Sequence, residues 1–239
     1  MKNKVIILIS FLLINLPAVL YAENIDVQQS VWNGHVRYDF TFDGRHATIV
    51  CPDSAINGKP WIWRPAFFDA FPSVDKALLK KGFHVVFYDM THRYGSPQAV
   101  EQGRKFYEYL LSAWHFSPKV TLEGFSRGGY YALNWAIANP DKVACLYLDN
   151  PVCDMFSWPG EKSKLWNDFL KEWGMTSVDK DTFKGNPLDN LTPLAAQRVP
   201  VIAVCGDSDR VVPFGDNMKL IRDRYQQLGA PVELIIKPG

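Results

Sequence analysis

The stretch Lys119-Val-Thr-Leu-Glu-Gly-Phe-Ser-Arg-Gly-Gly-Tyr-Tyr-Ala-Leu133 decides the fold. An apolar run leads into a G-x-S-x-G pattern, which predicts a strand, a sharp turn and a helix with Ser126 at the turn. Residues two before and two after the serine must be very small, because larger side chains would collide there. Gly124 and Gly128 satisfy this requirement. The pattern therefore predicts an exposed hydroxyl at a sheet edge, beside a helix N-terminus that favours negative charge.

Strands and helices alternate on both sides of this turn. Period-two apolar residues over 25–51, with an Asp43-Gly44 turn, predict antiparallel strands. Continuous apolar runs predict buried parallel strands at 83–90, 119–124, 143–149, 199–205 and 232–236. Apolar stripes at helical spacing predict helices at 72–81, 97–114, 127–139 and 214–228. The sequence thus predicts an α/β fold, with a mostly parallel sheet, antiparallel N-terminal strands and helices on both faces.

One segment interrupts this alternation. Residues 151–198 separate two predicted strands and are longer than a single crossover helix. They contain Trp158, Trp166 and Trp173 together with Pro and Gly residues. We expect a cap over the ends of the strands, and an ordinary pair of helices on the sheet face is the alternative.

The composition excludes several classes of protein. The 239 residues carry 26 Lys+Arg and 25 Asp+Glu, and this balance argues against nucleic acid as a partner. A hydrophobic content of 47% with 21% charged residues excludes a disordered or fibrous chain. Eight Trp favour either a stacking surface or a Trp-rich core.

The first 22 residues have the pattern of a signal peptide. Lys2 and Lys4 precede a short apolar run that ends at Pro17, and Ala22 offers a cleavage site. The run is shorter than the ~20 residues that span a bilayer, so we expect no membrane anchor after cleavage. The mature chain, residues 23–239, is then periplasmic or secreted. Its four cysteines form no C-x-x-C pair or Cys/His cluster, so we expect neither a metal nor a cofactor.

A serine at such a turn is a candidate nucleophile, provided that a base and an acid accompany it. We predict Ser126 as the nucleophile and the N–H of Arg127 as one oxyanion donor. The acid is expected just after the strand at 199–205, at the same sheet edge, where Asp207 and Asp209 compete. We favour Asp209 for orienting a histidine and Asp207 for holding the loop.

The histidine base is missing from its expected place after the last strand. Of five histidines, only His92 follows a strand at the correct edge, and it is better explained as a loop residue or substrate contact. The expectation is that the base and a final helix lie beyond Gly239. The chain as given would then be feebly active at best.

The chain resembles the α/β-hydrolase superfamily, and more closely exported bacterial hydrolases of the prolyl-oligopeptidase-like and carbohydrate-esterase-like branches. The resemblance covers residues 61–239 and is carried by Trp61-Ile-Trp-Arg-Pro-Ala-Phe-Phe, Gly124-Phe-Ser-Arg-Gly-Gly, Gly185-Asn-Pro-Leu-Asp-Asn and Gly206-Asp-Ser-Asp-Arg-Val-Val-Pro. It implies Ser126 as nucleophile and Asp209 as acid. It also implies a second oxyanion N–H from Ala66, Phe67 or Phe68, of which we favour Phe67.

We expect acyl transfer to water through an acyl-enzyme on Ser126, with a carboxylesterase favoured over a peptidase. The expected substrate is a small or saccharide-linked ester. Arg64 and Arg127 are candidates for binding a substrate carboxylate, or else are structural ion pairs. Trp158 is a candidate for stacking on a sugar, or else packs inside the cap. The alternatives are a short-peptide peptidase of the prolyl-oligopeptidase type and a non-catalytic glycan-binding homologue.

Overall fold

A nine-stranded mixed sheet organises residues 25–238, the part of the chain that the computed structural model describes. The strands are β1 Val27–Trp32, β2 His35–Phe42, β3 Arg45–Val50, β4 Trp61–Arg64, β5 His84–Tyr88, β6 Val120–Phe125, β7 Val143–Asp149, β8 Val201–Gly206 and β9 Val232–Lys237. They lie in the order β1-β2-β3-β5-β4-β6-β7-β8-β9. The predicted signal peptide over residues 1–22 falls outside the described residues.

The first three strands form an antiparallel meander, as the period-two pattern predicts. Two tight turns join them, Asn33-Gly34 and Asp43-Gly44, and all four residues have positive φ angles. Strand β3 pairs antiparallel with β5, whereas every later neighbour pair, from β5–β4 to β8–β9, is parallel. The predicted mostly parallel sheet with antiparallel N-terminal strands is therefore confirmed.

Helices cover both faces of the sheet. They are α1 Ser73–Lys80, α2 Pro97–Trp114, α3 Arg127–Ala138, α4 Trp166–Glu172, α5 Thr192–Ala196 and α6 Met218–Gln227. Helix α1 packs Leu79 with Ile62 and Val85 on one face. The neighbouring residues Trp63 and Val86 belong to the larger core on the opposite face, with α2, α3 and α6. This division follows from the strand pleat, which directs successive side chains to opposite faces.

The strand order reverses around β4, and this reversal fixes where a site can form. Strand β5 lies on one side of β4, and β6, the next strand along the chain, lies on the other. In open α/β sheets the crevice at such a reversal, at the carboxyl ends of the strands, is where ligands bind. The loops after β4, β6, β7 and β8 all leave the sheet at this edge.

Most of the tryptophans belong to the core. Six are buried: Trp32, Trp61, Trp63, Trp114, Trp135 and Trp166. Trp63 packs edge-on against Trp135, with ring centroids 5.1 Å apart. Trp158 and Trp173 are only partly buried and pack against the apolar cluster of the 151–198 segment. Burial therefore accounts for most of the tryptophans. Trp158 keeps an exposed part that could contact a substrate.

The 151–198 segment is divided between two locations. Val152, Met155, Phe169 and Phe183 form an apolar cluster separate from the main core, together with Tyr94, Tyr130 and Val212 and other residues. From Leu188 onwards the segment packs into the main core instead, through Leu191, Leu194 and Ala195. Only the first part, with α4, has the character of a cap, and α5 is an ordinary helix on the sheet.

None of the four cysteines is paired. Cys153 and Cys205 are buried, and Cys51 and Cys145 are half-buried. Between residues 25 and 238 no helix combines the length and the apolar character needed to cross a membrane.

The contact of α2 with the tryptophan core predicts an overpacking effect at Gly103. A Cβ there would collide with the Tyr131 hydroxyl and lie 2.9 Å from Trp63. We expect Gly103→Ala to lower the free energy of unfolding by about 1–3 kcal/mol, although alanine favours helix. Urea denaturation measures the change.

The matched control is Gly215→Ala, because a Cβ at that position meets nothing within 4 Å. It should shift the unfolding free energy by no more than about 0.5 kcal/mol. Equal stabilities for the two variants would show that the α2 contact is not tight.

Candidate active site

Ser126 sits at a strained turn between β6 and α3, as the G-x-S-x-G pattern predicts. Its φ of 52° is left-handed and its ψ is −128°, a combination that L-residues rarely adopt. Its N–H donates to the Asp149 carbonyl at 2.9 Å, and its carbonyl accepts from the N–H groups of Gly129 and Val152. These backbone bonds hold the serine in a conformation that costs of order 1–3 kcal/mol.

Glycines make this turn possible. A Cβ on Gly124 would lie 2.7 Å from Gly129 Cα, and one on Gly129 would lie 2.8 Å from Pro151 Cα. Gly128 is less constrained, because its Cβ would contact Ala66 Cβ at 3.1 Å. The third glycine, Gly129, lets α3 approach β7, a requirement that the five-residue pattern does not state.

Ser126 and Asp209 line one cavity. It has a volume of about 420 Å³, and its wall is formed by Phe71, Phe125, Ser126, Asp149, Asn150, Asp209, Val211 and Val212. One side is apolar, with Phe71 and Val211 exposed to solvent. The carboxylates of Asp149 and Asp209 and the Ser126 hydroxyl supply its polar groups. Sequence position alone predicts this proximity, because both β6 and β8 end at the same edge.

The loop after β8 fixes the Asp209 carboxylate. Its Oδ1 accepts the N–H groups of Val211 at 2.7 Å and Val212 at 2.9 Å. The Asn150 side chain anchors the start of this loop, since its Oδ1 accepts the Gly206 N–H at 2.9 Å. Asp207 accepts from the Ser208 hydroxyl and does not line the cavity. The placement thus favours Asp209 over Asp207 as the acid.

Two backbone N–H groups are available as oxyanion donors. Phe67 lies in the loop after β4 with a left-handed φ of 57°, and its ring packs edge-on against Phe125, with centroids 5.4 Å apart. Within residues 25–238, no backbone carbonyl accepts the N–H of Phe67 or Arg127. Both residues lie next to the turn, since Arg127 directly follows Ser126 and the Phe67 ring contacts Phe125, which directly precedes it. Their role as oxyanion donors stays a prediction.

Of the two roles expected for Arg64, substrate binding and a structural ion pair, the structure shows the ion pair, and Arg64 does not line the cavity of Ser126. Its side chain is buried and forms an ion pair with Asp75. A second nitrogen donates to the Ala70 carbonyl at 2.7 Å, and that nitrogen lies 3.3 Å from Glu123 Oε1. The structural ion pair, the alternative for this residue, is correct. Its contact with Ala70 holds the loop that carries Phe67.

One arginine faces the carboxyl groups of Asp75 and Glu123 in this cluster, and Glu123 is held in surroundings that disfavour its charged form. Burial, and then the negative charge of Asp75, raise the pKa of Glu123 well above its usual value. Burial also raises the pKa of Asp149. A protonated Glu123 can donate to Asp75 and leave Arg64 paired with a single carboxylate. Glu123 lies three residues before Ser126, so this buried cluster lies directly under the turn.

Arg127 and Trp158 lie together, as a candidate substrate contact requires. The Arg127 guanidinium is 5.0 Å from the centre of the Phe67 ring and 5.9 Å from that of Trp158. Trp158 comes from the cap part of the 151–198 segment, so cap, oxyanion loop and helix α3 meet at this point. Arg127 is half-buried, and burial lowers the pKa of its guanidinium.

No histidine of the described chain lines the cavity. His92 is exposed in the loop after β5, and His84 is buried at the amino end of β5, where burial lowers its pKa to about 4. His35 bonds Asp53, and His46 lies near Asp39. The base therefore has no candidate among residues 25–238.

Sequence analysis missed Asp149 and Asn150. Both lie in the cavity wall, and Asn150 also ties the ends of β7 and β8 together. The signal was present, because a polar pair directly follows the apolar run 143–148 at the edge where the other site residues were expected.

A family model described as the prolyl oligopeptidase family matches residues 81–239. No curated protein is detectably similar to the chain. Among solved structures, an acylaminoacyl peptidase in complex with Z-Gly-Gly-Phe-chloromethyl ketone is 17% identical, with a TM-score of 0.64 over 90% of this chain and 37% of its own. A puromycin hydrolase is 19% identical, with a TM-score of 0.60 over 90% and 35%. Dipeptidyl peptidase 4 of Porphyromonas gingivalis is 15% identical, with a TM-score of 0.63 over 90% and 32%.

These findings correct the expected reaction class. A carboxylesterase was favoured over a peptidase, and this is wrong, because the matching family and the similar structures are peptidases. The error arose because both reactions use one acyl-transfer site, so the turn and its acid do not distinguish them. The chain spans 32–37% of the length of these three structures.

The raised pKa of Glu123 predicts a pH dependence of stability. Its pKa is raised on folding, so its contribution is complete below about 4.5 and is lost as the pH rises towards the folded-state pKa. Glu123→Gln keeps the hydrogen-bonding shape and cannot ionise. We expect the variant to gain stability over the wild type by up to about 1.4 kcal/mol per pH unit in that interval.

Urea denaturation at pH 5, 6 and 7 measures the difference in unfolding free energy. Glu108→Gln on the exposed side of α2 is the control, and its difference from the wild type should stay flat. A pH-independent gap between Glu123→Gln and the wild type would contradict a protonated Glu123.

Proposed function

The chain belongs to the prolyl oligopeptidase family, and on that premise we propose that it is a serine peptidase with Ser126 as its nucleophile. The observation that carries the proposal is the cavity that Ser126 and Asp209 share at the carboxyl edge of the sheet. In a serine hydrolase, an acid in the same cavity as the serine orients a histidine, and the histidine deprotonates the serine. The strained turn exposes the serine hydroxyl to a substrate.

The reaction follows from this arrangement. Ser126 Oγ attacks the carbonyl carbon of the scissile peptide bond, and its proton passes to the base. The negative charge that develops on the carbonyl oxygen is stabilised by the N–H groups of Arg127 and Phe67, each worth about 3–4 kcal/mol of barrier in such a site. The base then protonates the leaving amine, and water releases the acyl group from Ser126 by the same steps.

The end of β9 lies beside the loop that carries Asp209. Gly206 pairs with Lys237, and the Asp207 N–H donates to the Lys237 carbonyl at 3.1 Å. We propose that the general base is a histidine that approaches Asp209 and Ser126, because none of the histidines in residues 25–238 lines the cavity. Export stays a prediction that rests on residues 1–22.

Two variants test the roles of serine and acid in the protein made from its complete reading frame. Ser126→Ala should abolish both the hydrolysis of short chromogenic peptides and covalent labelling by a phosphonate. Asp209→Asn should lower kcat by about 10³- to 10⁴-fold, because the imidazole is no longer held in the useful tautomer. Steady-state kinetics and mass spectrometry of the labelled protein give these values.

Asp207→Asn is the matched control, since it removes the same charge from the same loop outside the cavity. It should retain kcat within about a factor of ten. Full peptidase activity in Ser126→Ala, or equal losses in the two Asp variants, would contradict the proposed roles. A complete protein that hydrolyses no peptide would favour the non-catalytic homologue.

A further inference from the structure

The Arg127 guanidinium contacts the rings of Phe67 and Trp158 but has no ion-pair partner among residues 25–238, although Arg127 directly follows the proposed nucleophile. Its Nε is buried and bonds to nothing within residues 25–238, and no carboxylate of that range lies within ion-pair distance. The negative charge of Asp89 raises the pKa of Arg127, but Asp89 forms no ion pair with it. Two other arginines near this edge are paired, Arg64 with Asp75 and Arg93 with Glu172. Arg127 therefore keeps a full, partly desolvated positive charge.

A second unsatisfied donor stands next to it. The Tyr94 side chain is 4% exposed, and its hydroxyl has no hydrogen-bond partner in the described chain. The positive charge of Arg127 opposes the rise that burial causes in the pKa of Tyr94, so the two groups interact. The ring of Tyr94 packs edge-on against Phe169 of the cap at 6.0 Å, which fixes its position.

Leaving such donors unsatisfied is costly, and the backbone around them is strained as well. A buried donor without an acceptor has lost its hydrogen bond to water and gained none in return. Phe67, Tyr94 and Ser126 all have left-handed φ angles, of 57°, 42° and 52°. Strain of this kind is typical of sites whose geometry is held for a ligand. A negatively charged acceptor would satisfy both the Arg127 guanidinium and the Tyr94 hydroxyl.

The surroundings indicate the chemistry of that acceptor. A guanidinium presents parallel N–H groups that match the two oxygens of a carboxylate. The rings of Phe67 and Trp158 flank the guanidinium and can enclose the short apolar stem that carries such a group. Two acids, Glu172 and Asp168, raise the pKa of Tyr94 through their charge, but neither accepts a hydrogen bond from its hydroxyl. Glu172 is bonded to Arg93 and Ser96, and Asp168 is exposed on α4.

We propose that Arg127 and Tyr94, between Phe67 and Trp158, form a subsite that binds a carboxylate of the substrate peptide. This inference rests on the proposed peptidase function and names its substrate class. Because Arg127 directly follows Ser126, the carboxylate belongs to a residue at or next to the scissile bond. An acidic side chain and a free C-terminus share this chemistry, and the experiment separates them.

Binding to Ser126→Ala, measured by isothermal titration calorimetry, tests the subsite without turnover. One probe pair is acetyl-Ala-Glu-Ala-amide and its Gln counterpart, which differ in a side-chain carboxylate. The other pair is the Gln peptide as the free acid and as the amide, which differ in the terminal carboxylate. We expect the charged member of one pair to bind about 10- to 100-fold more tightly, as a charge-assisted hydrogen bond predicts.

Substitutions at the subsite, each added to Ser126→Ala, should remove this preference. Arg127→Gln should bring the ratio of the two affinities close to one, and Arg127→Lys, which keeps the charge without the fork, should retain part of it. Tyr94→Phe should lower the ratio several-fold. Lys142→Gln, at the opposite edge of the sheet before β7, removes one positive charge and should leave the ratio unchanged.

Equal affinities within both pairs would overturn the inference, and so would a preference that persists in a folded Arg127→Gln variant. Measuring peptide hydrolysis as well as binding separates a failure of the carboxylate subsite from a failure of the proposed peptidase function. A protein that hydrolyses both members of each probe pair equally well is a peptidase without this subsite. A protein that binds the carboxylate through Arg127 and hydrolyses no peptide retains the subsite and refutes the peptidase.

Discussion

The close approach of helix α3 to the ends of β6 and β7 is the constraint on which the site depends. A Cβ on Gly124 would collide with Gly129, and a Cβ on Gly129 would collide with Pro151, so neither position has room for a side chain. Only with that close approach can the chain reverse within the single strained residue Ser126, whose N–H is held by the Asp149 carbonyl. The helix then begins at the serine, so that its first N–H groups face the crevice.

A buried ionic cluster supports this turn from the opposite face of the sheet. Arg64 joins β4 to α1 through Asp75 and to β6 through Glu123, and it also holds the Ala70 carbonyl in the loop of Phe67. Removing one member of such a cluster leaves a buried charge uncompensated, which is why clusters of this kind are sensitive to substitution. The positions of the loop of Phe67 and of the turn at Ser126 are thus coupled through one arginine.

Local patterns in the sequence predicted the turn at Ser126, the succession of strands and helices along the chain, and the position of Asp209 just after a strand, because each depends on neighbours within a few residues. The role of Arg64 could not be predicted, since its partners come from α1 and β6 and only folding brings them together. The role of Asn150 was not predicted, because its bond to Gly206 links the ends of two strands, β7 and β8, that are far apart in the sequence. The reaction class was mistaken for a different reason. Serine hydrolases cleave esters and peptides by the same acyl-transfer chemistry, so the sequence of the turn does not indicate whether the leaving group is an alcohol or an amine.

A crystal structure of the complete protein with a peptidyl phosphonate tests the central claim most directly. The account predicts continuous density from Ser126 Oγ to phosphorus, with a phosphonyl oxygen accepting the N–H groups of Arg127 and Phe67. It also predicts a histidine between the serine and Asp209. Phosphorus bound to any other residue, or an oxygen directed away from both N–H groups, would contradict it.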